Sequence, residues 1–404
     1  MSTPEFLNKV GAVLVVGGGI AGIQTSLDLA DSGFKVFLLE KSPTIGGKMS
    51  QLDKTFPTND CAICILSPKL VEAGRHHNIQ IITCAEIEKF RGSAGNFIVT
   101  IKKYPRYINE SKCTGCGLCS NWCPIDALSE YDEKLRKRKS IFIKYPQAIP
   151  KLPTIDKNIC IGCRLCEFIC EARAVDFSQK EELIDLNVGS IILAQGSEIF
   201  NPSSLTQYGY GKYRNVITSS EFERVLSASG PFIGHVLRPS DGKIPHKIAW
   251  LQCIGSRDRT IGNNYCSVIC CMYAIKEAII AKEHEPLLNC HIFFMDVRVT
   301  GKGFEEYSVR AREEYQVKFY NARIAFLEED PITKEIVLYY EDKKTGVSSE
   351  ARFDLLVLST GYQPSQDTQE LCKKLGVQLN KFNFCASSIF NPLETNIPGI
   401  YACG

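Results

Sequence analysis

Apolar positions along this chain fall into short runs and one-sided stripes, with polar turns between them. Val10–Val16 is a nearly continuous apolar run, the signature of a strand buried on both faces. Ile20, Ile23, Leu27 and Ala30 follow at helical spacing, and Lys35–Leu39 returns to strand character before ending at Glu40. Further strands are predicted at Ile79–Ile82, Phe97–Lys102, Val188–Leu193, His246–Leu251, His291–Met295 and Leu355–Leu358. Helices are predicted at Ser220–Leu226 and Cys270–Ala281, and Lys318–Leu327 and Glu335–Tyr340 read as β-rich segments parted by an Asp-Pro turn. Strands alternating with helices point to an α/β protein with parallel sheets. No apolar run approaches the ~18 residues that a membrane-spanning helix requires.

The first strand and helix enclose a specific motif. Gly17-x-Gly19-x-x-Gly22 joins them, and Glu40 stands at the end of the second strand, 21 residues past Gly19. Glycines at these places allow a tight turn and let a pyrophosphate approach the helix N-terminus, while the acid accepts the ribose hydroxyls. Gly46 and Gly47, just after Glu40, resemble FAD-binding flavoproteins more than NAD dehydrogenases. The flavoprotein pattern continues at Ala194-Gln195-Gly196, where the chain is expected to leave the FAD domain, and at Ser359-Thr360-Gly361, where it returns. Ile397–Gly404 resembles the stretch that closes such domains beside the flavin. After His246–Leu251, where a two-dinucleotide flavoprotein would carry a second GxGxxG for NAD(P)H, the sequence reads Gln252-Cys253-Ile254-Gly255-Ser256. The nicotinamide cradle is therefore expected to be lost.

Nineteen cysteines change the picture further. Cys113-x2-Cys116-x2-Cys119-x3-Cys123-Pro124 and Cys160-x2-Cys163-x2-Cys166-x3-Cys170 repeat the bacterial two-cluster ferredoxin spacing. The fourth cysteine of each run ligates the other cluster, so one [4Fe–4S] is assigned to Cys113, Cys116, Cys119 and Cys170. The other is assigned to Cys160, Cys163, Cys166 and Cys123. Zinc knuckles or disulfides are the competing reading, but zinc sites want two separate CxxC pairs. Cys253, Cys266, Cys270 and Cys271 crowd one βα turn, either as a third cluster or as packed thiols. Cys61-x2-Cys64 is read as a structural or ligand pair ahead of a redox dithiol. Cys84, Cys290, Cys372, Cys385 and Cys403 are expected to pack. The run Lys134–Lys139 is either a solvated face or a docking face for an acidic electron carrier. A net charge of +2 argues against nucleic acid as a partner, and cluster chemistry points to a reducing cytoplasm.

The expected architecture is a thioredoxin-reductase-like, two-dinucleotide-domain α/β flavoprotein with an inserted 2[4Fe–4S] ferredoxin module. Residues 1–105, 180–244 and 356–404 would make up the FAD domain and its linker, 106–179 the insert, and 245–355 the degenerate NAD(P)-like domain.

These motifs together resemble the A-type subunits of heterodisulfide reductase, the iron–sulfur flavoproteins of that complex. The resemblance rests on Gly17–Glu40, on Asp60-Cys61-x2-Cys64 with Ser67-Pro68-Lys69, on the double ferredoxin run and on Cys253/Cys266/Cys270/Cys271. It implies that the last four cysteines hold a third cluster beside FAD, and that Glu223 and Lys276 lie near the reactive flavin ring as catalytic groups. It also implies electron bifurcation at FAD. Electrons would come from a hydrogenase, formate dehydrogenase or deazaflavin-linked donor. They would leave to ferredoxin and, through the C and B subunits of heterodisulfide reductase, to the CoB–CoM heterodisulfide. Two other roles compete: a non-bifurcating relay for a quinone-interacting or other reductase complex, and an NADPH-dependent disulfide reductase using Cys61 and Cys64. Longer family members carry a domain before the fingerprint and a ferredoxin domain at the far end, so this chain is expected to be a truncated form. Glu171 stands where the first run has Pro124, a change in a turn rather than in a ligand.

Overall fold

The computed structural model describes residues 9–404, so the first eight residues of the expected 1–105 segment lie outside the described residues. Contacts divide the chain into two units: Met1–Ser50, Ile63–Ser197 and Pro364–Gly404 in the first, Gln51–Ala62 and Glu198–Gln363 in the second.

The first unit is built on a parallel five-stranded sheet in the order Ile400–Ala402, Ser190–Leu193, Ala12–Val16, Lys35–Glu40, Ile79–Thr83. Every residue of Ala12–Val16 is buried, as its apolar run requires. Alternate residues serve opposite faces: Leu14, Val16 and Leu39 join one core with Phe97, Val99 and Ile101. Val13, Val15, Val36 and Leu38 join another with Ile23 and Leu27. The helix Ile20–Asp31 buries Gly22, Ile23, Ser26, Leu27 and Ala30 along one side and stops at Gly33, whose φ is +89°. A three-stranded antiparallel sheet, Glu182–Val188, Asn96–Lys103 and Ala85–Ser93, covers one end. The single strand expected at Val188–Leu193 is two, because Gly189 breaks it; a Cβ there would lie 2.3 Å from the Val10 carbonyl oxygen.

The stretch expected as an insert folds as two short ribbons, Asp126–Leu128 with Lys137–Lys139 and Ile141–Phe142 with Thr154–Ile155. Two one-turn helices, Leu118–Trp122 and Leu165–Phe168, follow left-handed residues Gly117 and Arg164. Its small core is Ile108, Ile141, Ile155, Ala174 and Val175 packed on cysteines.

The second unit holds a seven-stranded sheet in the order Val216–Thr218, Leu355–Thr360, Lys247–Ile254, Asn289–Phe294, Lys318–Glu329, Ile336–Asp342, Ser348–Phe353. The first five strands are parallel and the last two are added antiparallel. This corrects the expected boundaries. Residues 198–244 leave the FAD domain for the second unit because Val216–Thr218 pairs with Leu356–Leu358. Leu355–Thr360 is wholly buried beside the central strand, so the return to the first unit falls after Gln363 rather than at 356. The helices Ala62–Arg75, Phe304–Glu313 and Gln366–Leu375 had no counterpart in the sequence reading.

Gly22 decides how closely the first helix approaches the sheet, since a Cβ there would lie 1.8 Å from the Gly17 carbonyl oxygen. Gly22→Ala is expected to lose at least about 2 kcal/mol in chemical denaturation through overpacking. Gly19→Ala, with no atom within 4 Å of the added methyl, is expected to leave stability nearly unchanged.

Candidate functional site

The sequence-predicted glycines of the first unit converge on one turn. Gly17 and Gly22 pack backbone to backbone, and a Cβ on Gly47 would lie 2.8 Å from the Gly19 Cα. Gly46 faces the Tyr145 hydroxyl, Gly404 approaches Ala21, and Gly196 follows Ala194 and Gln195, which themselves touch Gly17. Glu40 takes the Gly18 N–H at 2.6 Å on one oxygen and the Ser42 N–H at 2.7 Å on the other. Its carboxylate is thereby fixed at the strand end with lone pairs remaining for a sugar hydroxyl. The helix begins at Gly19 with no side-chain cap and no acidic residue in its first turn. Uncapped N–H groups and the positive end of the helix dipole suit a pyrophosphate, and the open space above Gly19 leaves room for one. Lys144, which no sequence signal marked, donates to Ser42 Oγ at 2.7 Å, and burial holds its ammonium below the usual lysine range. Gly361 is the exception. It belongs to the second unit, where a Cβ would collide with Ser256 and Ser267, so packing accounts for that glycine without a cofactor.

In the ribbon segment, Cys123 lines one cavity with Cys160, Cys163 and Cys166, together with Pro124, Ile161, Leu165 and Phe177. Cys119 is surrounded by Cys113, Cys116 and Cys166, and Cys170 packs in the same small core. Burial pushes the Cys119 and Cys166 thiols up to about 11, which keeps them protonated until a metal takes the proton's place. Among the described residues no His, Cys, Asp or Glu group is drawn together tightly enough for a single metal ion. Cys123, Cys160, Cys163 and Cys166 instead line one shared space, whose four thiols would suit a cluster with its ligands spread over four corners. Within the basic run, Lys134 and Lys137 are exposed, and three of its members pair inside the segment. Arg136 pairs with Asp132 at 3.0 Å, Arg138 with Glu130 at 2.9 Å and Asp156 at 2.8 Å, and Lys139 with Asp126 at 2.8 Å.

In the second unit, the turn after Lys247–Ile254 differs from a dinucleotide turn. Cys253 has φ +64°, and the place a Cβ would take on Gly255 is filled by the Phe200 ring, 2.1 Å away. The next helix begins only at Cys270, so no helix N-terminus follows the strand directly. Cys253, Cys270 and Cys271 form a buried cluster with Val297 packed on it. Hydrogen bonding between Cys253 and Cys270 lowers the first thiol and pushes the second up to about 12. Cys266 and Cys253 both face Arg257.

Glu223 and Lys276 are not surface charges: each side chain is only 1% exposed. Lys276 Nζ lies 2.5 Å from Glu223 Oε1 and donates to the Lys54 carbonyl at 2.8 Å. Glu223 Oε2 accepts the Asp53 backbone N–H at 3.0 Å. The helix Ser219–Leu226 presents Glu223 because Thr218 and Glu221 form a capping box that fixes its start. Sequence reasoning missed Asp53 and Glu277, the other acids here. Burial pushes the Asp53 carboxyl from 3.8 to about 6, and Glu277 is fully buried with its Oε2 accepting the Trp250 indole N–H at 2.8 Å. Among the remaining cysteines, Cys61 and Cys64 are in disulfide form. Cys84 and Cys290 are buried, Cys372 and Cys385 have sulfurs 3.4 Å apart, and Cys403 lies 3.7 Å from Thr25.

A glycine-turn parallel unit followed by a second parallel α/β unit defines the two-dinucleotide-domain flavoprotein class. Within it, the chain belongs to the pyridine nucleotide-disulphide oxidoreductase family, whose profile matches residues 11–404. It is 48% identical, over 97% of its length, to the iron-sulfur A-type subunit of CoB–CoM heterodisulfide reductase from Methanocaldococcus jannaschii. It is 45% identical, again over 97%, to the A-type subunit of the H2:CoB–CoM heterodisulfide,ferredoxin reductase of Methanothermobacter thermautotrophicus. The chain spans about 60% of the length of these curated relatives. In fold it is similar to the thioredoxin reductases of Lactococcus lactis (TM-score 0.52, 14% identity, 97% of this chain and 89% of that one) and T. acidophilum (TM-score 0.51, 13% identity, 97% and 88%). No helix among the described residues is long and apolar enough to cross a membrane.

Two outcomes follow for the buried charges. Lys276→Met strands the Glu223 carboxylate and is expected to destabilise the second unit by about 3–5 kcal/mol, with Glu223→Gln added to it restoring most of the loss in urea denaturation. Asp53 holds its proton in the folded state above the pH at which the unfolded chain releases it. Its contribution is therefore complete below about 3.8 and declines as pH rises through about 6. A stability–pH profile is expected to show a fall on the order of 3 kcal/mol across that window, absent in Asp53→Asn.

Proposed function

We propose that this chain is an iron–sulfur flavoprotein that carries electrons for reduction of the CoB–CoM heterodisulfide, as the names of its relatives describe for those proteins. The observation that carries the reading is the meeting of Cys123 with Cys160, Cys163 and Cys166 around one cavity, the crossed ligand set of a two-cluster ferredoxin. The relatives' names and the flavoprotein fold support the rest.

In this reading FAD lies over Gly17, Gly19, Gly22, Gly46, Gly47, Gly196 and Gly404. The helix N-terminus would face its pyrophosphate, and Glu40 would accept its ribose hydroxyls. When bound, FAD exchanges electrons in pairs and each [4Fe–4S] cluster carries one at a time. Cys113, Cys116, Cys119 and Cys170 would hold one cluster, Cys160, Cys163, Cys166 and Cys123 the second, and Cys253, Cys266, Cys270 and Cys271 a third. Burial around Cys119, Cys166 and Cys270 excludes water from the sulfurs and sets the surroundings that tune a cluster's potential. Lys276, held by Glu223 and the Lys54 carbonyl, supplies a fixed cation that stabilises an adjoining anion. Bifurcation is the finer form of the proposal. One branch goes to ferredoxin and the other, through the C and B subunits, to the heterodisulfide, with a hydrogenase, formate dehydrogenase or deazaflavin-linked enzyme as donor. Inverted one-electron flavin potentials in a redox titration are its expected signature, and well-ordered potentials would leave a simple relay.

The disulfide at Cys61 and Cys64 favours one other reading, reduction of a disulfide by NADPH. The filled turn at Gly255 and Phe200 argues against it, and bleaching of the flavin by NADPH alone is the result that would revive it.

Anaerobic purification is expected to give iron and sulfide for three four-iron clusters and one FAD per chain. Cys253→Ser should lose one cluster and keep the other two. Gly19→Ala should keep the fold and weaken FAD retention on the order of tenfold, about 1.4 kcal/mol. Zinc in place of iron, or no flavin, would overturn the proposal.

A further inference from the structure

Two cysteines outside the cluster spacings face each other in the first unit. Cys372 stands on the helix Gln366–Leu375, whose buried side is Thr368, Leu371, Cys372 and Leu375. That helix stops at Gly376, in the left-handed region at φ +71°, and the Gly376 N–H returns to the Cys372 and Lys373 carbonyls. The chain then turns back on itself. The Val377 N–H donates to the Cys372 carbonyl at 2.8 Å, the Asn380 N–H to the Phe384 carbonyl at 2.8 Å, and Leu379 bridges Cys385 antiparallel. This local turn lays the Cys385 sulfur 3.4 Å from the Cys372 sulfur. Both pack in the core that holds Leu371, Leu375, Val377 and Ile400, with Cys372 wholly buried and Cys385 partly exposed. Cys290 and Cys403, by contrast, meet oxygen: the first donates to the Ala278 carbonyl and the second touches Thr25 Oγ1.

We propose that Cys385 and Cys372 form a redox-active dithiol that exchanges with low-molecular-weight disulfides, Cys385 attacking and Cys372 resolving. The two thiols are placed unequally, since only Cys385 is reachable from solvent, and that fixes the order of attack. Their acidities point the same way. The hydrogen bond from Cys372 lowers the Cys385 thiol to about 7, while that bond and burial push the Cys372 thiol up. A thiol that ionises near ambient pH is the best attacking group in such an exchange. The Cys385 thiolate bonds to one sulfur of the disulfide, whose S–S bond breaks and expels a thiolate that takes its proton from solvent. Cys372 then bonds to the Cys385 sulfur and expels the second thiol, which leaves with the Cys372 proton. The pair loses two electrons, and the external disulfide gains them and becomes two thiols. Joining the protein sulfurs needs them to close from 3.4 Å to about 2.05 Å. Neither flavin nor cluster enters these steps, so they hold whatever becomes of the function proposed above.

The test incubates the full chain anaerobically with hydroxyethyl disulfide, then alkylates the remaining thiols and reads each cysteine by peptide mass spectrometry. Cys372 and Cys385 are expected to leave the alkylatable pool together, as one linked pair that dithiothreitol restores. Cys372→Ala, which keeps the buried position apolar, is expected to stop at a mixed disulfide of Cys385 with mercaptoethanol. Cys385→Ser, which keeps Cys372 covered, is expected to leave Cys372 unreacted. A Cys385 that stays alkylatable in the unaltered chain overturns the proposal. So does a mixed disulfide that persists there while Cys372 remains free. Reaction of Cys372 in Cys385→Ser at the unaltered rate overturns the order of the two roles. Cys84 and Cys290 are buried and report on unfolding. Linkage of the pair that appears only when those two are modified as well belongs to an unfolded chain and overturns the site.

Discussion

The approach of Gly22 to the Gly17 carbonyl is the constraint on which the first unit depends. It brings the helix Ile20–Asp31 down onto Ala12–Val16 until only hydrogen fits between them. That contact fixes where the helix begins, and hence where its unpaired N–H groups and dipole point. Everything else at the sheet edge is arranged around that end. Glu40 is held by the Gly18 N–H, Gly47 packs on Gly19, and Gly46 meets Tyr145 from the cysteine-rich segment. A displaced helix would lose all of these together.

The second unit repeats the parallel topology and abandons this turn. Near the end of its central strand stands a left-handed cysteine, and the Phe200 ring fills the place a Cβ on Gly255 would take. The residues from 255 to 269 then separate strand from helix, and the helix opens on two thiols instead of uncapped glycine N–H groups. The parallel topology is shared, while this turn gathers thiols where the first unit has its glycines.

The sequence was most legible where chemistry and periodicity coincide. Gly17, Gly19, Gly22 and Glu40 could be placed because strand, turn and helix each leave their own signal. The cysteine runs were equally plain, since their spacing is local. Domain boundaries were harder. Val216–Thr218 is three residues long, and nothing in them announces pairing with a strand some 140 positions later. Asp53 and Glu277 were invisible for the same reason, as an acid reads as solvated until its neighbours are known. Lys276 and Glu223 came only through the family resemblance. The burial of Lys276 could not be read from the helix Cys270–His284, which is covered nearly all round and so carries no one-sided stripe.

That burial is itself informative. An ion pair taken out of water rarely stabilises a fold more than apolar groups of the same size would, because desolvation offsets most of the attraction. Lys276 and Glu277 stand between Ala274, Ile275, Ala278 and Ile279 on a buried helix, where leucine or methionine would have served packing better. Stability alone does not account for charges there. The same helix places Cys270 about 9 Å along its axis from Lys276, six residues at the α-helical rise. A rigid element that holds thiols at its first turn and a buried cation one and a half turns later keeps sulfur and charge at a fixed separation. Fixed separation from a charge tunes a redox group's potential, because a field acts on whichever oxidation state carries more charge. On the function proposed above, the polar cluster would be the part of this helix that acts on electrons, and the apolar residues around it the part that holds it still.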